Sequence, residues 1–471
     1  MELSPEAQAL AVIVAAVVVL WITEALPLAV TALFGAVACV LAGVAPAQEV
    51  FAPFADPLIF LFIGSFILAE AIRLHGLDKR LAFAVLALPG VAERPGRVLA
   101  AVAGVCATAS AFLSNTCVAA MMLAIVSGMV AAIEDAGRKA GRPPSPGFAT
   151  GLLLCVAFAA SVGGLATPIG TPTNLIGLGF IRSQLGVAIS FPAWCLVGVP
   201  VAATLTAVVV LLLGRMFPAG VPRLEGVREF VADERARLGR WTVGQRSTAA
   251  AFALTVGLWV LPGIAAFFGG PDEPWAGLLK ERLPEGVAAL VGAALLFILP
   301  GGEARGRRRA ALEWSEARID WGIVLLYGGG MALGSLCFST GLAGALGESI
   351  RWLVPAGPWS GIVLVLLAAV VAVATSEFTS NTASANIVVP VVIALASATG
   401  NDPVVAALAA TFAASLGFMM PVSTPCNAIV YGTGRIPLRS MMAAGIVLDL
   451  VGMAVITAAM LILASRSPVT P

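Results

Sequence analysis

Long uncharged runs separated by short polar breaks organise this chain. Charge-free or nearly charge-free stretches cover residues 7–23, 25–48, 57–72, 98–133, 143–181, 183–214, 247–271, 286–302, 321–347, 352–376, 378–401, 403–434 and 440–465, with a weaker, more charged candidate at 77–92. A membrane-crossing helix needs about 20 apolar residues at ~1.5 Å rise each. Most runs therefore read as spans, and several are too long for one straight helix and must turn or break. The pattern predicts an all-α integral membrane protein of about 11 transmembrane helices.

Composition agrees. Of 471 residues, 59% are hydrophobic and 11% charged, with a mean hydropathy of +0.99. Soluble domains carry roughly 25% charged residues, so a soluble enzyme and a nucleic-acid-binding protein are excluded. His75 is the one histidine, which argues against His-based metal sites and Ser-His-Asp chemistry. Lys79, Lys139 and Lys280 follow no GxxxxGK[ST] pattern, so no ATP-driven pump is encoded. The seven cysteines stand singly and read as small apolar residues. The N-terminus carries Glu2 and Glu6 in place of a basic region, so the first run, within residues 1–26, reads as a retained helix and no cleaved signal.

Basic residues orient the spans. Arg215, Arg223, Arg228, Arg235, Arg237, Arg240 and Arg246 mark a linker at 216–246, and Arg305, Arg307, Arg308, Arg309 and Arg318 form a second cluster. Arg435 and Arg439, and the groups around Arg94–Arg97 and Arg138–Arg142, join the same face if the N-terminus is cytoplasmic and 98–133 enters and leaves on that side. Arg73, Lys79 and Arg80 then fall on the opposite face, a misfit that a partly interfacial helix at 77–92 would repair.

The chemistry lies in motifs that occur twice. Ser110-Ala-Phe-Leu-Ser114-Asn115-Thr116 interrupts one apolar run, and Ser376-Glu-Phe-Thr379-Ser380-Asn381-Thr382 another. Downstream of each come Ala160-Ser161-Val-Gly163 with Gly170-Thr171-Pro172-Thr-Asn174, and Ala414-Ser415-Leu-Gly417 with Ser423-Thr424-Pro425-Cys-Asn427. Two motif types in the same order imply a duplicated unit: 27–215 and 247–465. Residues 98–113 give ~24 Å of helix, short of a ~30 Å hydrocarbon core. Residues 117–133 give a similar length, so 98–133 reads as a re-entrant hairpin and 357–396 as its counterpart. Residues 148–181 and 403–434 read as helices broken at their prolines. The charge pattern places the hairpins on opposite sides, so the repeats are inverted. Two polar tips and two unwound breaks can converge at the midplane, where half-helix N-termini meet an anion and unwound carbonyls a cation.

One such polar triplet could be a helix-packing contact, and a single proline a mere kink; the paired occurrence favours a site. Glu24, Glu70, Glu377 and Asp449 are intramembrane or interfacial candidates. Glu377 is open between orienting the second tip and a direct ionic role.

The tandem Ser-Asn-Thr hairpins and the segment Ser415-Leu-Gly-Phe-Met-Met-Pro-Val-Ser-Thr-Pro-Cys-Asn427-Ala-Ile-Val430 resemble the divalent anion/sodium symporter (DASS) family over about residues 20–465. The resemblance implies a homodimeric, elevator-type transporter of C4 dicarboxylates, citrate or sulfate. It implies one sodium site at Ser110, Ser114, Asn115 and the Gly170 carbonyl. A second is implied at Ser376, Thr379, Asn381 and the Ser423 carbonyl. It also implies a substrate site at Ser114, Asn115, Thr116, Thr171 and Pro172 with Ser380, Asn381, Thr382, Thr424 and Pro425. No organic cofactor and no nucleic-acid partner are implied; the partners are the anion, sodium ions, lipids and a second copy, in a bacterial inner membrane. The motifs contain no Arg or Lys, so a buried dianion needs cations for compensation. Hard oxygen donors suit Na⁺. A sodium-independent dicarboxylate exchanger, a proton-coupled carrier using Glu377, a sulfate or citrate transporter, a channel and a membrane enzyme are the alternatives.

Overall fold

The computed structural model describes residues 3–269, 274–304 and 307–466. Arg305 and the end of the 247–271 run, residues 270 and 271, lie outside these. In chain order the helices are α1 (Pro5–Thr23), α2 (Leu28–Leu41), α3 (Ala47–Phe51), α4 (Pro57–His75), α5 (Leu77–Leu86), α6 (Pro95–Ser110) and α7 (Asn115–Lys139). They continue as α8 (Pro146–Gly163), α9 (Pro172–Leu185), α10 (Phe191–Met216), α11 (Val227–Leu238), α12 (Val243–Gly269), α13 (Pro274–Arg282) and α14 (Glu285–Leu296). The last are α15 (Trp321–Ser339), α16 (Leu342–Ile350), α17 (Ser360–Phe378), α18 (Asn381–Thr399), α19 (Pro403–Ala413), α20 (Pro425–Tyr431) and α21 (Leu438–Arg466). Among the described residues, ten helical segments are long and apolar enough to cross a membrane.

Proline starts these helices far more than it ends them. Pro5, Pro57, Pro95, Pro146, Pro172, Pro403 and Pro425 each stand in a first turn, where the missing N–H has no intrahelical partner to lose. Ser4, Asp56, Ser190, Asp320, Ser380, Asp402 and Thr424 cap their helices with side-chain oxygens, satisfying first-turn donors.

The broken helices form the centre. The span Pro146–Ala166 is 94% buried by protein, against 28% for Leu438–Ser465. A helix apolar on every side belongs inside, and α8 packs against α6, α7, α10 and α20. Helices α1, α10 and α21 turn large apolar side chains outward, such as Val12, Leu196 and Ile462, as a lipid-facing surface requires.

Several expectations change. The run 25–48 yields only the 14-residue α2, and 77–92 yields the 10-residue α5, too short to cross. The arm after the first Ser-Asn-Thr is 25 residues long, not a match for its 16-residue partner. The helix continues past its apolar part because Asp135 and Lys139 pair at 2.6 Å along the polar turn. The protein is also not wholly α-helical: Pro300–Ala304 and Arg307–Ala310 pair as an antiparallel β-hairpin (β1, β2), with Gly302 opposite Arg309 and Glu303 opposite Arg308. Pro300-Gly301-Gly302 stops α-helix formation after α14.

The misplaced basic residues find their face. Arg80 donates to the carbonyls of Leu238 (2.9 Å), Gly239 (3.1 Å) and Arg240 (3.3 Å) and stacks over Trp241 at 5.1 Å. His75 Nε2 lies 2.6 Å from the Ala311 carbonyl, and Gln245 donates to the His75 carbonyl at 2.9 Å. Residues 73–80 therefore share an end of the bundle with both basic clusters, and their expected place on the opposite face is overturned. Leu224 N–H to the Glu93 carbonyl (2.9 Å) and the Arg435–Glu134 pair (3.1 Å) bring the base of the α6–α7 hairpin there too.

Candidate functional site

The two hairpin turns are built alike. Helix α6 ends at Ser110, and α7 starts at Asn115 behind Ser114 in extended conformation. Helix α17 ends at Phe378, and α18 starts at Asn381 behind Ser380. In each, the serine five residues before the asparagine reaches its side chain: Ser110 at 2.5 Å from Asn115 and Ser376 at 2.6 Å from Asn381. A polar residue ending one arm thus closes the turn onto the first residue of the next.

The two breaks also repeat one another. Helix α8 stops at Gly163, passes through a 3₁₀ turn at Gly164–Ala166, and resumes at Pro172 after extended Thr171. Helix α19 stops at Ala413 and resumes at Pro425 after extended Thr424. Asn174 donates to the carbonyls of Gly164 and Thr167, both at 2.8 Å. Asn427 donates to those of Gly417 (2.9 Å) and Met420 (3.0 Å), the same offsets back along the chain. A downstream amide therefore staples each unwound segment in place. The prolines open the second half-helices and do not terminate the first.

Turns and breaks meet pairwise. The Asn115 amide points at the carbonyl oxygens of Ala160 (3.3 Å) and Gly170 (3.1 Å). An amide nitrogen there donates to both; an amide oxygen there would share a cation with them. Ser376 donates to the Ala414 carbonyl (3.0 Å), and Asn381 to that of Ser415 (3.2 Å). Glycine is needed beside both clusters: a Cβ on Gly164 would lie 2.6 Å from Asn115 Oδ1, and one on Gly417 3.0 Å from Ser376 Oγ. Each cluster is a set of hard oxygen donors of the kind that holds small cations. Ser161 and Ser415, buried at the two breaks, have hydroxyls without a hydrogen-bond partner among the described residues. Thr379 turns its hydroxyl back to the Thr375 carbonyl at 2.8 Å. Ser423 commits its hydroxyl to Glu377 at 2.7 Å, so its carbonyl is the group left for an ion.

The four motifs surround one cavity of about 410 Å³. Ser114, Asn115, Thr116, Thr171, Pro172, Ser380, Asn381, Thr382, Thr424 and Pro425 all line it. Ser110, Ser376 and Thr379 stand behind this wall, Gly170 lines a second space beside it, and Ser423 is part of the wall. Among the described residues no Arg or Lys lines the cavity, while α7, α9 and α18 begin at its surface, presenting first-turn N–H groups and the positive ends of their dipoles. The remaining wall comes from Pro27, Leu28 and Ala29 at the start of α2 and Asp320, Gly322, Ile323 and Leu326 of α15. Sequence reading missed this wall, because those residues repeat no motif; the Asp-Trp step that opens α15 was its one polar signal. A second space of about 680 Å³ adjoins the first and shares Ser114, Pro172, Asp320 and Ile323 with it.

The acidic candidates separate. Glu24 is exposed and ends α1 in the left-handed conformation, φ 48°. Glu70 pairs with Arg73 in the second space. Glu377 accepts from the backbone N–H groups of Met419 (2.8 Å) and Met420 (3.0 Å) and from Ser423, so it orients the second break. Asp449 is buried beside Glu377.

Residues 1–464 match the family described as "Sodium:sulfate symporter transmembrane region". The chain belongs to the divalent anion/sodium symporter family. Family membership and the ten apolar helices make it an integral membrane protein. It is similar to the sodium-dependent dicarboxylate transporter SdcS of Staphylococcus saprophyticus, with 31% identity over 441 residues, 93% of this chain and 82% of that relative. SdcS of Staphylococcus aureus strain USA300 is 30% identical over 439 residues, with the same coverage of 93% and 82%. Two solved structures share the fold. The Alcanivorax borkumensis YdaH transporter has a TM-score of 0.56 at 16% identity, covering 90% of this chain and 88% of that one. Neisseria gonorrhoeae MtrF has a TM-score of 0.59 at 12% identity, covering 88% and 82%.

Proposed function

We propose that this symporter-family protein carries a divalent anion, a C4 dicarboxylate such as succinate, fumarate or malate, across the membrane together with sodium. The observation that carries the reading is the cavity walled by four amide- and hydroxyl-bearing motifs without a basic side chain. Two uncompensated negative charges in such a place would be prohibitively costly. Cations bound beside the two asparagines remove that cost, so anion and sodium bind together and raise each other's affinity. The similarity to the sodium-dependent dicarboxylate transporters SdcS supports the same pairing of ion and substrate.

In this reading Ser110, Ser114, Asn115 and the Gly170 carbonyl hold one sodium ion, and Ser376, Thr379, Asn381 and the Ser423 carbonyl a second. The dianion lies between Ser114–Thr116 with Thr171-Pro172 and Ser380–Thr382 with Thr424-Pro425. The two hairpins are re-entrant and belong to inverted repeats, 27–215 and 247–465. The motif-bearing helices move as an elevator against a scaffold that includes α2 and α15, in a homodimer within a bacterial inner membrane. The face bearing the Arg clusters is cytoplasmic.

Radiolabelled succinate uptake into proteoliposomes, with an inward sodium gradient and with choline in its place, tests this. Uptake only with sodium is the expected result. Equal uptake in choline, accelerated by internal dicarboxylate, would replace symport by exchange.

A further inference from the structure

The inner cavity contains one charged side chain among the described residues, and it has the wrong sign for an anion site. Asp320 lines it from the α15 wall, opposite the four motifs. Its Oδ1 accepts from the Ile323 N–H at 3.2 Å as the N-cap of α15. The same residue, with Ser114, Pro172 and Ile323, also lines the adjoining space. A solute passing between the two passes its carboxylate.

The other charges along that route lie only in the outer space. Arg73 is held by Glu70 through Nε at 2.9 Å. Arg318, two residues before Asp320 and largely exposed, has its Nε 3.8 Å from Glu70. Asp78 accepts from the Lys79 N–H at 2.8 Å. The two guanidiniums therefore face a carboxylate that already occupies them, and neither reaches the inner cavity. Among the described residues no ion-pair partner offsets Asp320 there.

We infer that Asp320 limits the charge of the transported anion, selecting dianions over trianions. This rests on the sodium-coupled reading above. Two sodium ions neutralise a dianion, so its net field at Asp320 is small. A third negative charge stays uncompensated and faces the Asp320 carboxylate across the cavity. At separations of several ångströms, with effective dielectric values between protein and water, such a repulsion is worth roughly tenfold in affinity.

The test is competition against labelled succinate uptake at pH 8, where succinate is a dianion and citrate a trianion. Asp320→Asn preserves the cap, since asparagine caps helices as well as aspartate, and removes only the charge. The expected result is a roughly tenfold gain in citrate competition relative to succinate, with sodium dependence unchanged. Arg318→Gln, which makes the route more negative, should shift the ratio the opposite way by a smaller factor, and reads the same field if Asp320→Asn fails to fold. An unchanged citrate-to-succinate ratio in both variants overturns the inference. So does weakened sodium dependence in Asp320→Asn, which would make Asp320 a cation ligand. Absence of sodium-dependent succinate uptake in the wild type is a different failure: it removes the transport reading, and this inference with it.

Discussion

The turn at Ser110–Asn115 and the turn at Ser376–Asn381 carry the same two serines, phenylalanine and asparagine at the same spacing, yet they are tied down differently. At the second, Glu377 accepts three hydrogen bonds from the break at Met419–Ser423. Ser380 caps α18 through the Ala383 N–H at 3.1 Å, and Thr424 caps α20 through the Asn427 N–H at 3.1 Å. At the first, Ala111 stands where Glu377 stands in its counterpart, and its carbonyl receives a single hydroxyl, that of Thr167. Ser114 and Thr171 make no capping hydrogen bond. The first half of the site thus leaves Ser114 and Thr171 free of capping bonds, while the second spends Ser380 and Thr424 on its own backbone. A duplicated binding unit can share its ligand oxygens and still divide labour, one half rigid and one adaptable.

The largest effect should come from Glu377→Ala. It removes the acceptor of two part-buried backbone N–H groups and one of the two acceptors of the Ser423 hydroxyl, at about 1–3 kcal/mol for each donor left unsatisfied, whereas Thr167→Val at the first half removes a single hydrogen bond worth about 1 kcal/mol. Thermal unfolding of the purified protein in detergent should show a much deeper loss for Glu377→Ala. Equal losses would erase the distinction between the halves.

Next come Asn115→Ala and Asn381→Ala. Each deletes an oxygen from a proposed cation cluster, and an unsatisfied buried charge costs more than about 1.4 kcal/mol, so apparent sodium affinity should fall at least about tenfold. Sodium titrations of uptake measure this, and unchanged values in both variants would remove both proposed sites. Thr116→Val and Thr382→Val keep shape and delete a hydroxyl from the cavity wall. We expect about fivefold weaker dicarboxylate binding, the worth of one hydrogen bond, with a smaller change for sodium; calorimetric titration separates the two.

The smallest effect sharpens the contrast most directly. Ser380→Ala removes a cap and should cost about 1 kcal/mol of stability. Ser114→Ala removes no capping bond and should leave the unfolding temperature nearly unchanged while weakening ligand binding. A stability loss of the same size in both would show that Ser114 is committed to its helix as well.

Much of this was legible along the chain. Apolar runs fix where helices can lie, since burying or lipid-facing twenty consecutive side chains leaves no other economical structure. The doubled Ser-Asn-Thr and Thr-Pro-x-Asn patterns carried the family resemblance that implied ten substrate residues, and the fold gathers those ten around one cavity. Helix ends were read less well. Pro172 and Pro425 look like breakers in a string of letters, and only the backbone places them at the first position of a half-helix. Charge beyond an apolar run lengthened α7, since i, i+4 pairing sustains a helix in water as hydropathy does not.

What the tertiary structure alone decided involves residues far apart in sequence. Arg80 reaches carbonyls at 238–240, which brought residues 73–80 to the same end of the bundle as the basic linker. Local charge counts cannot see such a contact, because they weigh each loop separately and assume every run crosses. The wall formed by Leu28 and Asp320 has the same origin: neither residue belongs to a repeat, and only packing α2 and α15 across from the four motifs closes the cavity. Glu377 stood undecided between orienting and ionic roles until its three donors, 42 to 46 residues away, were in place. Hydropathy and repetition are properties of neighbouring letters, so a sequence carries them openly; the partner of a buried polar group is set by how helices pack, and that is a property of the whole fold.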